Sequence, residues 1–128
     1  MLGIGVDCVL INRIESIVGK RLDPHSLAKR ILSANEYKYF GSTFTDPRSS
    51  KCVSFLAGRF ALKEASFKAL SSSSALKWNF SFKDIETATQ DGSCVPVTTY
   101  LPSNLPLVTS LTHDGGIAIA VALVTNRV

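Results

Sequence analysis

The stretch Phe55–Leu70, FLAGRFALKEASFKAL, restricts the possible folds of this chain more than any other. It contains no proline, and its Ala, Leu, Phe, Lys and Glu content favours a helix. On a wheel of 3.6 residues per turn, Glu64 falls between two apolar flanks: Phe60, Phe67 and Leu56 on one side, Ala57, Ala61 and Ala65 on the other. A carboxylate therefore stands on the face that reads as buried. Two readings follow. Glu64 pairs with Lys68 one turn on, a contact worth about 0.2–0.5 kcal/mol. Alternatively, the cost of desolvating a carboxylate marks a site, with Lys63, Lys68 and Arg59 as the cations around it.

At 128 residues the chain reads as one domain, 1–128, large enough for a core without crosslinks. An apolar fraction of 45% and a charged fraction of 19% describe a globular protein. The longest apolar runs, Ile117–Val124 among them, fall far short of a membrane span, which excludes membrane insertion. Cys8, Cys52 and Cys94 have no metal-ligand spacing. Their odd number points to buried thiols in a reducing compartment, the cytoplasm or the mitochondrial matrix. A strand-like pattern begins directly after Met1, so no cleavable leader is visible. The net charge of +4 comes without a block of consecutive basic residues. It suits an acidic partner or a phosphate ligand better than nucleic acid.

The opening LGIGVDCVLI reads as a buried strand interrupted by Asp7, either a turn-forming Asp or a rigidly presented metal ligand. Asn12 and Glu15 predict a capped short helix over Arg13–Val18. Asp23-Pro24 predicts a second helix to about Ile31, and the capping box Ser33/Glu36 a third to about Phe40. Lys20, Arg21, Lys29 and Arg30 form either a solvated face or a docking patch for an acidic protein. His25 reads as a surface residue and Gly41–Thr45 as a loop. Asp46-Pro47 is the expected cap of the long helix, and Ser71–Ser74 the loop that closes it. Segments around Phe80–Thr89, Cys94–Leu101, Leu107–Thr112 and Ile117–Thr125 read as strands, with hairpin turns at Gln90–Ser93 and Asp114-Gly115-Gly116. Trp78 is expected to pack at the start of the sheet. The predicted class is α+β: short helices in the N-terminal half and an antiparallel sheet, which the first strand is free to join, packed against one long helix.

Three pieces of the chain, in this order, resemble the short 4′-phosphopantetheinyl transferases of the holo-acyl-carrier-protein synthase type. They are Gly3-Ile4-Gly5-Val6-Asp7, the run Phe55-Leu56-Ala57-Gly58-Arg59-Phe60-Ala61-x-Lys63-Glu64-Ala65-x-x-Lys68-Ala69, and Ser110-x-Thr112-His113 before an apolar strand. The resemblance implies Mg²⁺-dependent transfer of phosphopantetheine from coenzyme A to a serine of an acyl carrier protein, releasing adenosine 3′,5′-bisphosphate. It implies Asp7 and Glu64 as the metal ligands, because Mg²⁺ takes one or two carboxylates and completes its shell with water and phosphate oxygen.

Lys68, with Glu64, is the expected catalytic residue, placed to offset charge on the leaving oxygen or donate a proton to it. Arg59, Lys63 and His113 are expected to hold the phosphates of coenzyme A. Glu64, or a water held by either carboxylate, is the expected base for the serine. Arg13 and Arg21 are expected to dock the acidic carrier protein. Short members of this family are typically homotrimers with sites at subunit interfaces. Where the family commonly has a Gly-Thr-Gly-type turn after its helix, this chain has four serines, Ser71–Ser74, so backbone contacts to the nucleotide differ there. Two other functions fit the composition: a non-enzymatic basic binding module, and an inactive relative retained as an assembly subunit.

Overall fold

The computed structural model of the chain describes residues 2–76, 79–89 and 96–125. The expected turn at Gln90–Ser93, together with Cys94 and Trp78, lies outside the described residues. Strand β1 (Gly3–Leu10) runs straight into α1 (Ile11–Lys20), followed by α2 (Ser26–Ile31), α3 (Ala34–Thr43) and the long α4 (Ser50–Ser72). The C-terminal half supplies β2 (Ile85–Thr89), β3 (Pro96–Tyr100), β4 (Leu105–Asp114) and β5 (Ile117–Val124). All pairings are antiparallel and give one five-stranded sheet in the order β1-β5-β4-β3-β2. The expected α+β architecture is the one the chain adopts, with β1 closing the sheet beside β5.

Local chemistry sets the boundaries and moves several of them. The capping box at Ser33 and Glu36 forms as expected, but α3 continues to Thr43, so Gly41–Thr43 is helical rather than looped. The long helix is capped by Ser49, whose hydroxyl accepts from the Cys52 N–H at 3.2 Å. Asp46 instead closes the preceding turn, accepting from the Arg48 N–H. The helix extends through Ser72 and ends where Ser74 turns to φ 61°. Asn12 does not cap α1: the helix leaves β1 at Ile11, whose N–H donates to the Gly116 carbonyl at 2.8 Å. Asp23 closes a turn onto the His25 N–H, and α2 begins only at Ser26. His25 is half-buried with its ring edge against Phe40, not a free surface residue. A 3₁₀ turn at Phe82–Asp84 replaces the first half of the strand expected over Phe80–Thr89.

The inner face of the sheet meets α4 through unusually small side chains. Gly3, Gly5, Asp7 and Val9 of β1 face the helix, and their register partners on β5 are Val124, Ala122, Ala120 and Ala118. The helix answers with Ala57, Ala61, Ala65 and Ala69, all fully buried. Backbones thus come into near contact. A Cβ on Gly5 would lie 1.9 Å from the Ala65 carbonyl oxygen, and one on Gly3 would lie 2.1 Å from that of Ala69. The outer face is apolar and uncovered in the single chain, with Ile4, Val6, Val108, Ile119 and Val121 all exposed. Cys8 lies on that face and is exposed, contrary to the expectation of a buried thiol; Cys52 is buried, and burial pushes its thiol up to about 11.

The close approach leads to a test. Gly5→Ala inserts a methyl group into helix backbone rather than into a yielding side chain, so destabilisation near the upper end of the about 1–3 kcal/mol range for overpacking is expected. Urea denaturation of Gly5→Ala should show a lowered midpoint, and an unchanged midpoint would contradict the packing described.

Candidate active site

The contact between Gly5 and Ala65 brings the strand-borne carboxylate to the helix. Asp7 lies two residues beyond Gly5 on the same face of β1, and Lys68 stands on the helix one turn beyond Glu64. Lys68 Nζ donates to Asp7 Oδ1 at 3.0 Å and to the Val6 carbonyl at 2.9 Å. Of the two readings of Glu64, the pairing with Lys68 does not form: Lys68 makes an ion pair with Asp7, with side-chain exposures of 49% for the lysine and 17% for the aspartate. Glu64 is half-buried, and burial raises its carboxyl above the ordinary range. Asp7 adds to that rise, while Lys68 and Arg13 oppose it. Four side chains, from β1, α1 and α4, thus share one electrostatic neighbourhood. Arg13 also rests its guanidinium 5.9 Å from the centre of the Phe60 ring.

Lys63 does not belong to this neighbourhood. It is fully buried, forms an ion pair with Glu36 at 2.7 Å, and donates to the carbonyls of Phe82 and Ile85. Glu36 is saturated in turn, accepting from the backbone N–H groups of Ser33 and Thr87. Burial pulls the Lys63 ammonium below its ordinary value and Glu36 pulls it back up. The expectation that Lys63 holds a coenzyme A phosphate is corrected: no face of this ammonium reaches solvent.

Arg59 stacks 4.7 Å from the centre of the Phe55 ring, and its Nε is buried without a hydrogen-bond partner. Burial lowers its pKa, opposed by Glu36 and Tyr39. It joins two hollows. One, of about 140 Å³, is lined by Asn35, Tyr39, Phe55, Arg59 and Glu86 among others. The second, a groove of about 460 Å³, brings Arg59 together with His113, Lys51 and Ser54. His113, at the end of β4, thus lines the same groove as Arg59. Lys51 and Ser54 were not singled out in the sequence, although the expected cap at Asp46-Pro47 already put them on the long helix; the first turns of α4 place them on the groove face with Gly58.

The two groups of residues do not converge. Positions 59 and 64 lie about 140° apart around a helix of 3.6 residues per turn. Neither hollow contains Asp7, Glu64 or Lys68. Arg21 is exposed beyond the end of α1, away from both, with its carbonyl accepting from Arg48 at 3.5 Å.

A family model described as the 4′-phosphopantetheinyl transferase superfamily matches residues 3–122. The chain belongs to that superfamily. Among curated relatives, a holo-[acyl-carrier-protein] synthase of Enterococcus faecalis is 36% identical over 118 residues, covering 92% of each chain. Among solved structures, a holo-acyl-carrier-protein synthase of Bacillus anthracis in complex with coenzyme A (3′,5′-ADP) superposes with a TM-score of 0.74 at 30% identity, covering 95% of this chain and 94% of that one. The Helicobacter pylori enzyme in complex with coenzyme A gives 0.71 at 34% identity, over 95% and 99%. The relatives place the chain with the holo-acyl-carrier-protein synthases of the superfamily.

Within this family member, the buried pair predicts a dissection of structure from chemistry. Lys63→Ala strands the Glu36 charge in the interior and should cost about 3–5 kcal/mol. Lys63→Met combined with Glu36→Gln should recover most of that stability. Chemical denaturation of the three proteins checks both statements, and a fully stable Lys63→Ala would refute the structural role.

Proposed function

We propose that this chain transfers 4′-phosphopantetheine from coenzyme A to a serine of apo acyl carrier protein and releases adenosine 3′,5′-bisphosphate. The serine Oγ forms a bond to the phosphorus next to the pantetheine arm, and the bond from that phosphorus to the bridging diphosphate oxygen breaks. The observation that carries this reading is the meeting of Asp7 and Glu64 from distant parts of the chain, close enough for one charge to perturb the other, with an ammonium 3.0 Å from Asp7.

The donor set fits Mg²⁺. Two hard oxygens on one side leave room for water and phosphate, and among the described residues no group of three or more His, Cys, Asp and Glu side chains offers a fuller cage. Asp7 and Glu64 would hold Mg²⁺, and the ion would supply positive charge for the diphosphate. Lys68 offsets charge on the departing oxygen. Either Glu64 or a water held by the two carboxylates takes the serine proton. The groove holding Arg59 and Lys51, with His113 beside them, offers a cationic wall for the phosphates of coenzyme A. Arg13 borders the carboxylates and Arg21 lies exposed beyond α1, so both suit an approaching acidic carrier protein.

A complete site is assembled between copies, in a homotrimer. Support comes from the separation of the carboxylates from the cationic groove within one chain, and from the uncovered apolar outer face of the sheet. A head-to-tail contact that closes into a ring joins the groove of one copy to the carboxylates of the next.

Mass spectrometry of apo acyl carrier protein incubated with the chain, coenzyme A and Mg²⁺ tests the reaction directly: a gain of one phosphopantetheine is expected, and no gain refutes it. Asp7→Ala and Glu64→Ala should each abolish transfer while leaving a folded protein. Near-normal turnover of either variant at saturating Mg²⁺ would refute the two-carboxylate site. Assembly between copies has its own signature. Chains carrying Asp7→Ala, mixed by refolding with chains carrying Arg59→Ala, should regain part of the activity that each lacks alone. A mixture as inactive as its components would place the whole site in one chain.

A further inference from the structure

Lys68 is held in a way that its expected work on the diphosphate does not require. Its ammonium is fixed by two oxygens of β1, the Val6 carbonyl and Asp7 Oδ1. The glycine at position 5 makes room for this, because the Lys68 Cβ would stand 2.8 Å from any Cβ built there. The lysine stem therefore runs along the strand backbone and delivers its charge to the very carboxylate assigned to the metal. Half of the side chain remains in water, so nothing in the packing prevents it from swinging away.

We propose that the Lys68 ammonium and the divalent cation exchange at Asp7: the lysine neutralises this carboxylate in the free enzyme, and cation binding releases it toward the diphosphate. The inference rests on the reading of Asp7 as a metal ligand. A hard divalent ion takes carboxylate oxygen at about 2.0–2.1 Å, and an ammonium at hydrogen-bond distance from the same oxygen opposes it by like-charge repulsion. Lysine suits such an exchange because it is a compact charge on a flexible stem, whereas a guanidinium would hold the carboxylate in a rigid fork. Arg13 acts on the same neighbourhood but is not in an ion pair with Asp7, so it contributes field without occupying the position. Because the coupling is reciprocal, a diphosphate that attracts the lysine also frees Asp7 for the cation.

The test measures Mn²⁺ binding to the full chain by electron paramagnetic resonance, without coenzyme A. Wild type is compared with Asp7→Asn, Lys68→Met and Arg13→Gln, each confirmed as folded by circular dichroism. Lys68→Met should bind Mn²⁺ about two- to fivefold more tightly than wild type, from loss of a competing exposed ion pair. It should also exceed any gain in Arg13→Gln, which relieves only the general field. Asp7→Asn should bind more weakly. Unchanged binding in Asp7→Asn would remove the metal reading and the exchange with it. Weaker binding in Asp7→Asn, with Lys68→Met no tighter than Arg13→Gln, would overturn the exchange alone. A second readout uses diamagnetic Mg²⁺ with ¹⁵N-labelled lysine, the Lys68 resonance being assigned by its loss in Lys68→Met. The Lys68 ammonium signal should move on Mg²⁺ saturation, and a static signal would also overturn the exchange.

Discussion

The near contact of two backbones, β1 on α4, is the constraint on which the rest of this molecule depends. Glycines at positions 3 and 5 and an alanine row on β5 bring the strand and helix closer than ordinary side chains would allow. Such packing gives up the larger apolar surface that leucines would bury and gains positional accuracy. A carboxylate proposed to hold a cation from a short side chain needs that accuracy. Asp7 has only one methylene between its backbone and its charge, so a strand displaced by a single side-chain width would leave it out of reach of the helix.

Three of the four cations of α4, Lys63, Lys68 and Arg59, show how neighbours, not residue type, decide a role. Lys63 and Lys68 lie on one helix, yet one is wholly buried against Glu36 and two carbonyls while the other is half in water against Asp7. The first ties α4 to α3 and to the turn before β2, and its cost of desolvation is offset by a full set of acceptors. The second is half in water and keeps the freedom that its proposed work on a transient charge needs. Arg59 lies between these extremes, stacked on Phe55 and left with a buried donor that none of the described residues satisfies.

The fold class, the order of the elements and the two carboxylates were legible in the sequence, since they rest on periodicity and on a polar residue in an apolar setting. The capping box at Ser33 was legible because both of its partners are local. What failed had partners far along the chain. Glu36 was read only as a cap, and its other partners, Lys63 and the Thr87 N–H, arrive from α4 and β2. Lys63 accordingly looked like a phosphate ligand. Asn12 looked like a cap because the sequence cannot show that the Gly116 carbonyl already meets the first N–H of α1. Asp46 and Ser49 both match cap preferences, and choosing between them needs the geometry of the turn. The pairing of Lys68 with Asp7 rather than Glu64 also follows from tertiary contact, over a separation that no helical wheel represents.

Strand β1 pairs with β5 across most of the length between them, the first of the five described strands with the last: Gly3 sits opposite Val124 and Leu10 opposite Ile117. Contacts between such distant segments close slowly, because the entropy of a long loop must be overcome before any contact rewards it. During synthesis the helices can form while β1 has no edge to join. Strand β1 can lean on α4 before β5 arrives, but its pairing in the sheet, and with it the final position of Asp7, waits for the last of the five described strands.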